Sequence, residues 1–282
     1  MASTGPTVRH RRLGRELRGL REKMGFTLEE VATRLGWSTA KLSRIENART
    51  MPSGADIANV CDLYGVDPLT KAELIQLGRD ASRRGWWTAY SDVFASAYVG
   101  LEAEATAIRT WEPLLVPGLL QSVEYAREII NAVRPELISG ELERRVDARM
   151  ARKINLLGAR APTLHVLMDE CALRRPIGPP GVMTRQLGDI LQIVDQPNVT
   201  VQVLPLRAGA HSGLEGAFSL LSFDDEDPDA GYIGCPGGEI YVEATDQVRK
   251  LKLTFEHLAD VCLSPQESAV FIATVRSDHD LP

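Results

Sequence analysis

The chain has 282 residues, 44% of them hydrophobic, and a formal net charge of −6. This length predicts two domains, and the hydrophobic content is sufficient for two cores. The polar N-terminus lacks the apolar segment of a signal peptide, and no apolar run approaches the ~20 residues of a membrane-spanning helix. We therefore expect a cytoplasmic protein without a membrane segment.

Charge is divided unevenly along the chain. Residues 1–85 carry 15 Lys/Arg and 10 Asp/Glu, a net of +5, whereas the remainder carries 17 and 28, a net of −11. A basic N-terminal region and an acidic remainder suit a protein that binds phosphates with its N-terminal region only. Within the basic region, residues 1–12 predict a flexible basic arm. Its Arg9, Arg11 and Arg12 fit a minor-groove contact or a merely solubilising tail equally well.

Residues 13–80 predict five short helices. The first is amphipathic and runs from Leu13 to Gly25, the fourth begins after Ser53, and the fifth begins at Asp67 with Pro68. The expected core of this bundle is apolar and consists of Leu17, Leu20, Val31, Leu42, Ile45, Ile57, Val60 and Leu63.

The second and third helices lie within residues 27–47, TLEEVATRLGWSTAKLSRIEN. Thr27 and Glu30 have the spacing of a capping box, Gly36 supplies the backbone freedom of a sharp turn, and Ser38 is a second N-cap. The polar side of the third helix then faces outward. Such a helix fits the DNA major groove, with its first turn at base edges and its flanks at phosphates. The alternative is an ordinary helical hairpin that binds nothing.

Leu13 to Val66 resembles an XRE-type domain, the phage-repressor style of helix-turn-helix. The pattern LSRIEN, followed by a basic residue and Pro, is present as residues 42–47, Arg49 and Pro52. The resemblance implies an all-α, five-helix DNA-binding domain. It places Thr39, Ala40 and Arg44 at base-contacting positions.

The full set of predicted DNA-contacting residues is Ser38, Thr39, Ala40, Lys41, Ser43, Arg44, Asn47 and Arg49. Asn47 matches a position where a phosphate contact is common in this family. The resemblance also pairs Arg21 with Glu46 as a buried structural ion pair between the first and third helices.

The chain departs from the family pattern at two positions. Leu28 stands where Gln is usual, which removes a frequent phosphate contact. Ala48 stands where Gly is usual. If residue 48 needs a positive φ, Ala costs roughly 1 kcal/mol there, unless Asn47 adopts the strained conformation instead.

Residues 81–96 predict a linker, and residues 97–278 a second domain. The Trp86–Trp87 pair in the linker either packs domain on domain or stacks on a ligand. Helices are predicted near 97–111, within 112–130, and over 138–157, where the charged residues are expected to form a solvated face. Alternation predicts strands at 163–169, 199–206, 217–223 and 239–244, with helices over 183–195, 245–263 and 264–276. The second domain is thus expected to be α+β, with a small sheet covered by helices.

The block from Trp86 to Arg276 resembles the large domain that follows an XRE-type head in antitoxin-like regulators of actinobacteria. The resemblance is carried by WEPLLVPGLLQSVEYAR, DECALRRPIG, the QL of MTRQLGDIL, and VQVLPLRAGAHSGLEGAF. That domain has no established chemistry. Proteins of this kind commonly act with a small partner protein encoded beside them, which the resemblance implies here also.

Six polar residues of the second domain could form an acid–base site: Glu112, His165, Asp169, Glu170, Arg174 and His211. A structural ion pair and a helix N-terminal charge explain most of them, so we predict no catalytic residue and no enzyme. An enzyme would require a pocket that joins His165 or His211 to Asp169.

Other candidate sites are weaker still. The GAHSGLEGAF segment lacks the lysine of a phosphate loop and is expected to be a turn. The VPGLL segment, residues 116–120, either closes the core or forms a ligand groove. Cys61, Cys171, Cys235 and Cys262 form no CxxC pair and fit reduced thiols. The histidines lack ligand spacing, so neither a metal nor a cofactor is predicted.

The sequence therefore predicts a transcriptional regulator that recognises an operator in double-stranded DNA. It is expected to be cytoplasmic and nucleoid-associated, to form a homodimer, and to be controlled through its C-terminal domain. The alternative is an antitoxin-like interaction protein that binds a small partner protein and autoregulates its own operon.

Overall fold

A computed structural model describes residues 8–82, 86–90, 92–94, 98–158, 161–224, 227–236 and 238–280. The chain divides into two compact units, Met1–Glu104 and Ala105–Pro282. Among the described residues, none of the helices has the length and apolarity needed to cross a bilayer.

The first unit is helical. Its elements are α1 Val8–Lys23, α2 Leu28–Leu35, α3 Thr39–Glu46, α4 Gly54–Leu63, α5 Pro68–Ala81, a 3₁₀ helix Trp86–Tyr90, and α6 Tyr98–Glu104. The unit thus extends past the predicted boundary at residue 80 and includes part of the predicted linker. Residues 83–85, 91 and 95–97 of that region lie outside the described residues.

Helix α1 begins at Val8, so the predicted flexible arm is wrong for residues 8–12. His10 is buried on the same side of the helix as Leu13 and Leu17. This spacing of three and four residues continues the core-facing stripe toward the N-terminus, which keeps the backbone helical. Arg9, Arg11 and Arg12 therefore project from a helix, and residues 1–7 lie outside the described part.

The core of the first unit is the one expected from the helical periodicity, enlarged by α5. Leu17, Val31, Leu42, Ile45, Ile57 and Val60 are buried in one cluster with Leu13, Cys61, Tyr64 and Leu74, while Leu20 and Leu63 are only partly buried against it. Capping boxes begin α2 and α4, and Asp67 caps α5 with Pro68 in its first turn. From α2 to α5, local signals and burial therefore agree.

The tryptophan pair belongs to an aromatic cluster within the first unit. The rings of Trp86 and Trp87 meet edge to face with centroids 6.3 Å apart, and Trp86 also contacts Tyr90 and Phe94 in this manner. Gly100 of α6 lies against the Trp87 ring, where an added Cβ would be 3.5 Å away. Both tryptophans therefore have packing partners inside their own unit.

The second unit contains one mixed sheet and six helices within its described residues. Its elements are β1 Ala107–Glu112, α7 Val123–Val133, α8 Ser139–Lys153, β2 Thr163–Asp169, α9 Glu170–Arg174, α10 Val182–Ile193, β3 Val199–Leu204, β4 Phe218–Ser222, β5 Ala230–Cys235, β6 Gly238–Val242, α11 Thr245–Val261 and α12 Pro265–Asp278. Short 3₁₀ helices occupy Gly118–Leu120, Ile154–Leu156 and Leu206–Ala208.

The sheet has six strands in the order β3-β2-β1-β4-β5-β6, where four were predicted. Strands β1, β2 and β3 are parallel, and β4, β5 and β6 are antiparallel to their neighbours. The predicted helix over 97–111 is wrong for its second half, because residues 107–112 form β1. This strand lies between β2 and β4, and pairing on both edges outweighs the helix propensity of its local sequence.

Helices cover both faces of the sheet. On one face α11 buries Phe255 and Leu258 against Trp111, Leu167 and Phe218. On the other, α12 packs on β3 and α10, and α10 packs on α7. The VPGLL segment follows β1, and its Val116, Leu119 and Leu120 are buried, so it closes the core on this second face.

Candidate nucleic-acid interface

The turn between α2 and α3 has the geometry that its sequence predicts. Thr27 donates its backbone N–H to Glu30 Oε2 at 2.8 Å, and Glu30 N–H donates to Thr27 Oγ1 at 3.2 Å. Gly36 ends α2 with φ 66°, a left-handed conformation that glycine adopts without a Cβ clash. The chain therefore reverses tightly between the two helices.

Helix α3 presents a polar surface to solvent. Ser38 caps it by accepting the Lys41 N–H at 3.1 Å. Leu42 and Ile45 are buried beneath it. Of the eight predicted DNA-contacting residues, Lys41 and Ser43 are half-buried, and the others are exposed: Ser38, Thr39, Ala40, Arg44, Asn47 and Arg49.

Lys41 differs from the other predicted contacts because its ammonium group already has partners. It lies over the Trp37 ring, 3.8 Å from the centroid, and pairs with Asp56 Oδ1 at 2.6 Å. Burial raises the pKa of Asp56, but hydrogen bonds from Lys41 and Ser53 outweigh it and hold the pKa below its usual value. Lys41 thus links α3 to α4, at the edge of the exposed face.

Asn47 and Ala48 terminate α3 together. Asn47 Nδ2 donates to the Ser43 carbonyl at 2.8 Å, so its side chain folds back on the helix. Ala48 takes the left-handed conformation with φ 52°, while Asn47 has φ −94°. Ala48 is therefore the residue with the strained backbone. This left-handed conformation allows the Arg49 N–H to donate to the Arg44 carbonyl at 2.7 Å.

Arg21 and Glu46 form the buried ion pair that the resemblance implied. Arg21 Nε donates to Glu46 Oε1 at 2.7 Å and Nη2 donates to Oε2 at 2.9 Å. Arg21 also donates to the Phe26 carbonyl at 2.8 Å. Hydrogen bonding to Glu46 raises the pKa of Arg21 despite its burial. The pair joins α1, the loop before α2, and the end of α3, which fixes the position of α3.

A second feature that positions α3, Gly14 of α1, was not predicted from the sequence. A Cβ added at Gly14 would lie 2.7 Å from the Glu46 carbonyl oxygen and 3.0 Å from that of Ile45. Both obstacles are backbone atoms, so α1 approaches the end of α3 as closely as it does only because residue 14 is glycine. A glycine inside an amphipathic helix was the available signal.

Leu28, the other departure from the family pattern, packs against the first unit's core as a partly buried residue. Its apolar character therefore has a packing role where the family usually has a polar phosphate contact.

The acid–base candidates of the second unit come together only in part. His211 Nε2 lies 3.8 Å from Asp169 Oδ2, and Gly213 N–H donates to His211 Nδ1 at 3.2 Å. His165 instead bonds Gln202 at 2.8 Å and packs on Phe255, and burial lowers its pKa.

Asp169 and Glu170 have structural partners. Asp169 caps α9 by accepting the Cys171 N–H at 2.8 Å. Glu170 pairs with Arg174 at 2.5 Å and accepts the Leu206 N–H at 2.9 Å. These contacts account for both carboxylates as features of a helix terminus and an ion pair.

The thiols near Asp169 are held in their protonated form. A hydrogen bond to Asp169 raises the pKa of Cys171, and burial raises that of Cys262 to about 12. A thiolate is the reactive and metal-binding form, so neither environment favours nucleophilic or ligand chemistry. Within the described ranges, no group of three or more His, Cys, Asp or Glu side chains could hold a metal ion.

Comparison with known families matches both units. A helix-turn-helix domain matches residues 12–74, which include α2 and α3. The description "Domain of unknown function (DUF5753)" matches residues 95–274, more than half of the chain. The chain belongs to the DUF5753 family.

In this DUF5753 protein, the family domain includes all six strands of the sheet. The helix-turn-helix domain includes the helical bundle around α3. The helix-turn-helix match supports a DNA-binding regulator. No curated protein and no solved structure matches the chain.

Proposed function

We propose that this protein is a sequence-specific DNA-binding transcriptional regulator that inserts α3 into the major groove and is controlled through its C-terminal unit. The observation that carries the proposal is the exposed polar face of α3, held from beneath by the Arg21–Glu46 pair. A recognition helix needs both properties, since base contacts demand a fixed register.

Arg44 is the base-contacting residue best supported by the structure. It projects from the exposed side of α3, and within the described residues its guanidinium makes no hydrogen bond or ion pair. An arginine fork can bond the O6 and N7 atoms of guanine. Thr39 and Ala40, in the exposed first turn, would contact the neighbouring base edges.

Asn47 and Arg49 are proposed as phosphate contacts at the end of α3. Both are exposed, and they flank Ala48, which has a left-handed backbone conformation. Asn47 uses one side-chain donor on Ser43, and its amide retains acceptor and donor capacity for a phosphate or a bridging water.

Footprinting of the chain's own upstream region tests the proposal. A dimeric regulator should protect two half-sites whose centres lie about 34 Å apart, one helical turn of DNA. Uniform binding to unrelated sequences at physiological salt would contradict sequence specificity.

Substitution of Arg44 by Ala should cost roughly 1–3 kcal/mol of operator binding and relax the preference at one base pair. The matched control is Arg79→Ala, which removes one exposed positive charge from α5 of the same unit. Asn47→Ala should weaken binding to all sequences alike. If R44A and R79A lose the same affinity on every sequence, the recognition role of α3 is wrong.

A second candidate function is an antitoxin-like protein that binds a small partner protein and autoregulates its operon. It is favoured by Ile154 and Leu157, two apolar residues three positions apart after α8 that are 71% and 70% exposed. A partner would cover such side chains. Co-purification of a small stoichiometric protein from the native host, lost in an Ile154→Asp/Leu157→Asp variant, would support it, and recovery of the chain alone would count against it.

A further inference from the structure

The two edges of the six-stranded sheet differ in what lies beside them. At one edge, the Val203 carbonyl of β3 accepts the Leu263 N–H at 2.9 Å, and the Val203 N–H donates to Ser268 Oγ at 2.9 Å. The start of α12 and the segment before it therefore cover β3. At the other edge lies β6, and among the described residues no further strand follows it.

Strand β6 lacks the features that usually prevent one sheet edge from pairing with another. Gly238, Glu239 and Ile240 are exposed, and Ile240 retains 52% of its accessible surface. The strand contains neither lysine nor proline, and its five consecutive pairs with β5 leave no bulge. Its single charged side chain, Glu239, accepts hydrogen bonds from the hydroxyl groups of Tyr232 at 3.2 Å and Tyr241 at 3.0 Å. An exposed edge of this kind is a template for another strand.

Two hydrogen bonds show which way the backbone of β4 faces. The Ser222 carbonyl accepts the Thr106 N–H at 2.8 Å, and the Phe218 carbonyl accepts the Thr110 hydroxyl at 3.3 Å. Both donors lie in β1 or directly before it, so the even-numbered residues of β4 direct their backbone groups toward β1. Because these directions alternate along an antiparallel strand, the odd-numbered residues of β4 direct theirs toward β5.

The same alternation continues through β5 to β6. The even-numbered residues of β5 are paired with the odd-numbered residues of β4 and face them, so the odd-numbered residues of β5 face β6. Each of these is paired with an even-numbered residue of β6, as Ile233 is with Ile240. The backbone N–H and C=O groups of Glu239 and Tyr241 consequently point away from β5, toward the outer edge of the sheet. A strand that pairs with β6 must bond to these two residues.

From this geometry we propose that β6 pairs with β6 of a second copy of this chain, antiparallel and with a twofold axis at Ile240. In this register Glu239 lies opposite Tyr241 of the second copy, and Tyr241 lies opposite its Glu239. Each of these pairs exchanges both of its backbone N–H···O bonds across the interface. The exposed Ile240 side chains meet in the non-hydrogen-bonded pair between them, where opposite side chains are closest.

Charge selects this register over its two neighbours. If the twofold axis moved by one residue to Glu239, the two Glu239 carboxylates would lie opposite each other. If it moved by one residue to Tyr241, Glu239 would lie opposite Glu243 of the second copy. Like charges directly opposite each other destabilise a strand pair, whereas the axis at Ile240 places each Glu239 opposite a tyrosine. The edge is therefore complementary to itself, as an interface between identical chains requires.

The interface is defined within the second unit alone, so dimerisation does not require DNA binding. That the dimer contacts paired half-sites in an operator rests on the proposed function. Failure of the interface would appear in the oligomeric state, and failure of sequence recognition would appear in the footprint. The two outcomes are therefore distinguishable.

Sedimentation equilibrium of the full-length protein measures the association. The wild-type chain should be a dimer. Ile240→Lys should weaken dimerisation about tenfold or more, because two ammonium groups replace two apolar side chains at the closest pair. Val270→Lys is the matched control and should leave the association unchanged. Val270 is an aliphatic residue, 69% exposed, on α12, which packs on β3 at the opposite edge of the sheet.

Cross-linking tests the register. Both variants carry Cys235→Ser, because Cys235 is exposed in the wild-type chain. Ile240→Cys should form a disulfide-linked dimer on mild oxidation, since a non-hydrogen-bonded pair has a Cα separation of about 4.5 Å, within the range of a disulfide. Glu239→Cys should not, because residue 239 and its own counterpart are diagonal neighbours about 7–8 Å apart.

A dimer that is weakened by I240K, unaffected by V270K and linked through I240C supports the interface. A wild-type chain that stays monomeric at about 100 μM overturns it, because a dissociation constant of about 10 μM would leave most of the protein dimeric. A dimer whose affinity is unchanged by I240K also overturns it, as does one in which E239C cross-links as readily as I240C. If I240K fails to fold, the two cysteine variants decide.

Discussion

The two units use buried charge in opposite ways. In the helix-turn-helix unit, Glu46 is 7% exposed, and one guanidinium from Arg21 occupies both of its oxygens. In the DUF5753 unit, burial raises the pKa of the Glu112 carboxyl group to about 7, although the charges of Arg152 and Arg149 act to lower it. A fully paired charge fixes the geometry of a neighbouring surface. A buried carboxyl group without such a partner instead takes up a proton near neutral pH.

The largest expected effect tests the fully paired charge. Arg21→Ala should destabilise the first unit by about 3–5 kcal/mol, because it leaves Glu46 charged and buried without its partner. Urea unfolding followed by circular dichroism measures this change. If Arg21→Ala lowers the free energy of unfolding by less than about 1 kcal/mol, the value of a surface ion pair, the contrast between the two units is wrong.

Arg18 provides the control on the same helix. It pairs with Glu22 at 2.8 Å, and both side chains are more than half exposed. Arg18→Ala should therefore change the free energy of unfolding by less than about 1 kcal/mol.

The next effect concerns how closely α1 approaches α3. Gly14→Ala should destabilise the first unit by about 1–3 kcal/mol, since the new Cβ would collide with backbone oxygens that cannot rotate away. Thermal unfolding gives the stability, and operator affinity should fall as α3 is displaced.

Gly19 lies on the same helix, and an added Cβ there would meet no atom within 4 Å. Gly19→Ala should instead raise stability by up to about 1 kcal/mol through helix propensity. Equal effects at positions 14 and 19 would refute the close-contact explanation.

A pH series tests the partly accessible charge. The folded chain keeps a proton on Glu112 up to about pH 7, whereas an unperturbed glutamate loses it near 4.5. Stability contributed by this group is therefore complete below pH 4.5 and is lost as the pH rises through 7. The loss should be about 1–2 kcal/mol between pH 5 and 8, allowing for partial solvent access.

Glu112→Gln should remove that part of the pH dependence and be the more stable form at pH 8. Denaturant unfolding at both pH values checks this. Parallel curves for the wild type and E112Q would show that Glu112 titrates as an ordinary carboxylate and would weaken the contrast between the two units.

The smallest effect is at the end of α3. Ala48→Gly should raise stability by up to about 1 kcal/mol, because glycine tolerates the φ of 52° that strains alanine. Ala40→Gly, in the exposed first turn of α3, should lower stability by a similar amount. Calorimetric unfolding measures the stability of both variants. Opposite changes at the two positions indicate conformational strain at Ala48, whereas a general effect of glycine would change stability in the same direction at both.

The first unit was largely predictable because its signals are local. Thr27 with Glu30, Gly36 and Ser38 fix helix boundaries within a few residues, and the apolar spacing identifies the buried side. The start of α1 was misplaced, since only contact with the bundle shows that His10 continues the buried stripe. Gly14 was missed for a related reason: its neighbours at the end of α3 are about thirty residues away in sequence.

The second unit was predicted less completely. Strands β2, β3, β4 and β6 alternate clearly, whereas β1 was predicted as the end of a helix and β5 was missed. The acid–base candidates were chosen by residue type, and the structure joined His211 but not His165 to Asp169. The charges on α8 were expected to face solvent, and no local signal separates Arg144 from Arg152.

The sequence by itself determined the helix-turn-helix, its caps and the exposed residues of α3, because these follow from hydrogen bonds and spacing within a few residues. Only the tertiary structure decided which charges lie inside. Arg144 is exposed and Arg152 is half-buried although both lie on α8, and only the packing of that helix on the rest of the unit separates them. Burial and electrostatic environment are properties of the assembled fold, so they cannot be inferred from a single segment.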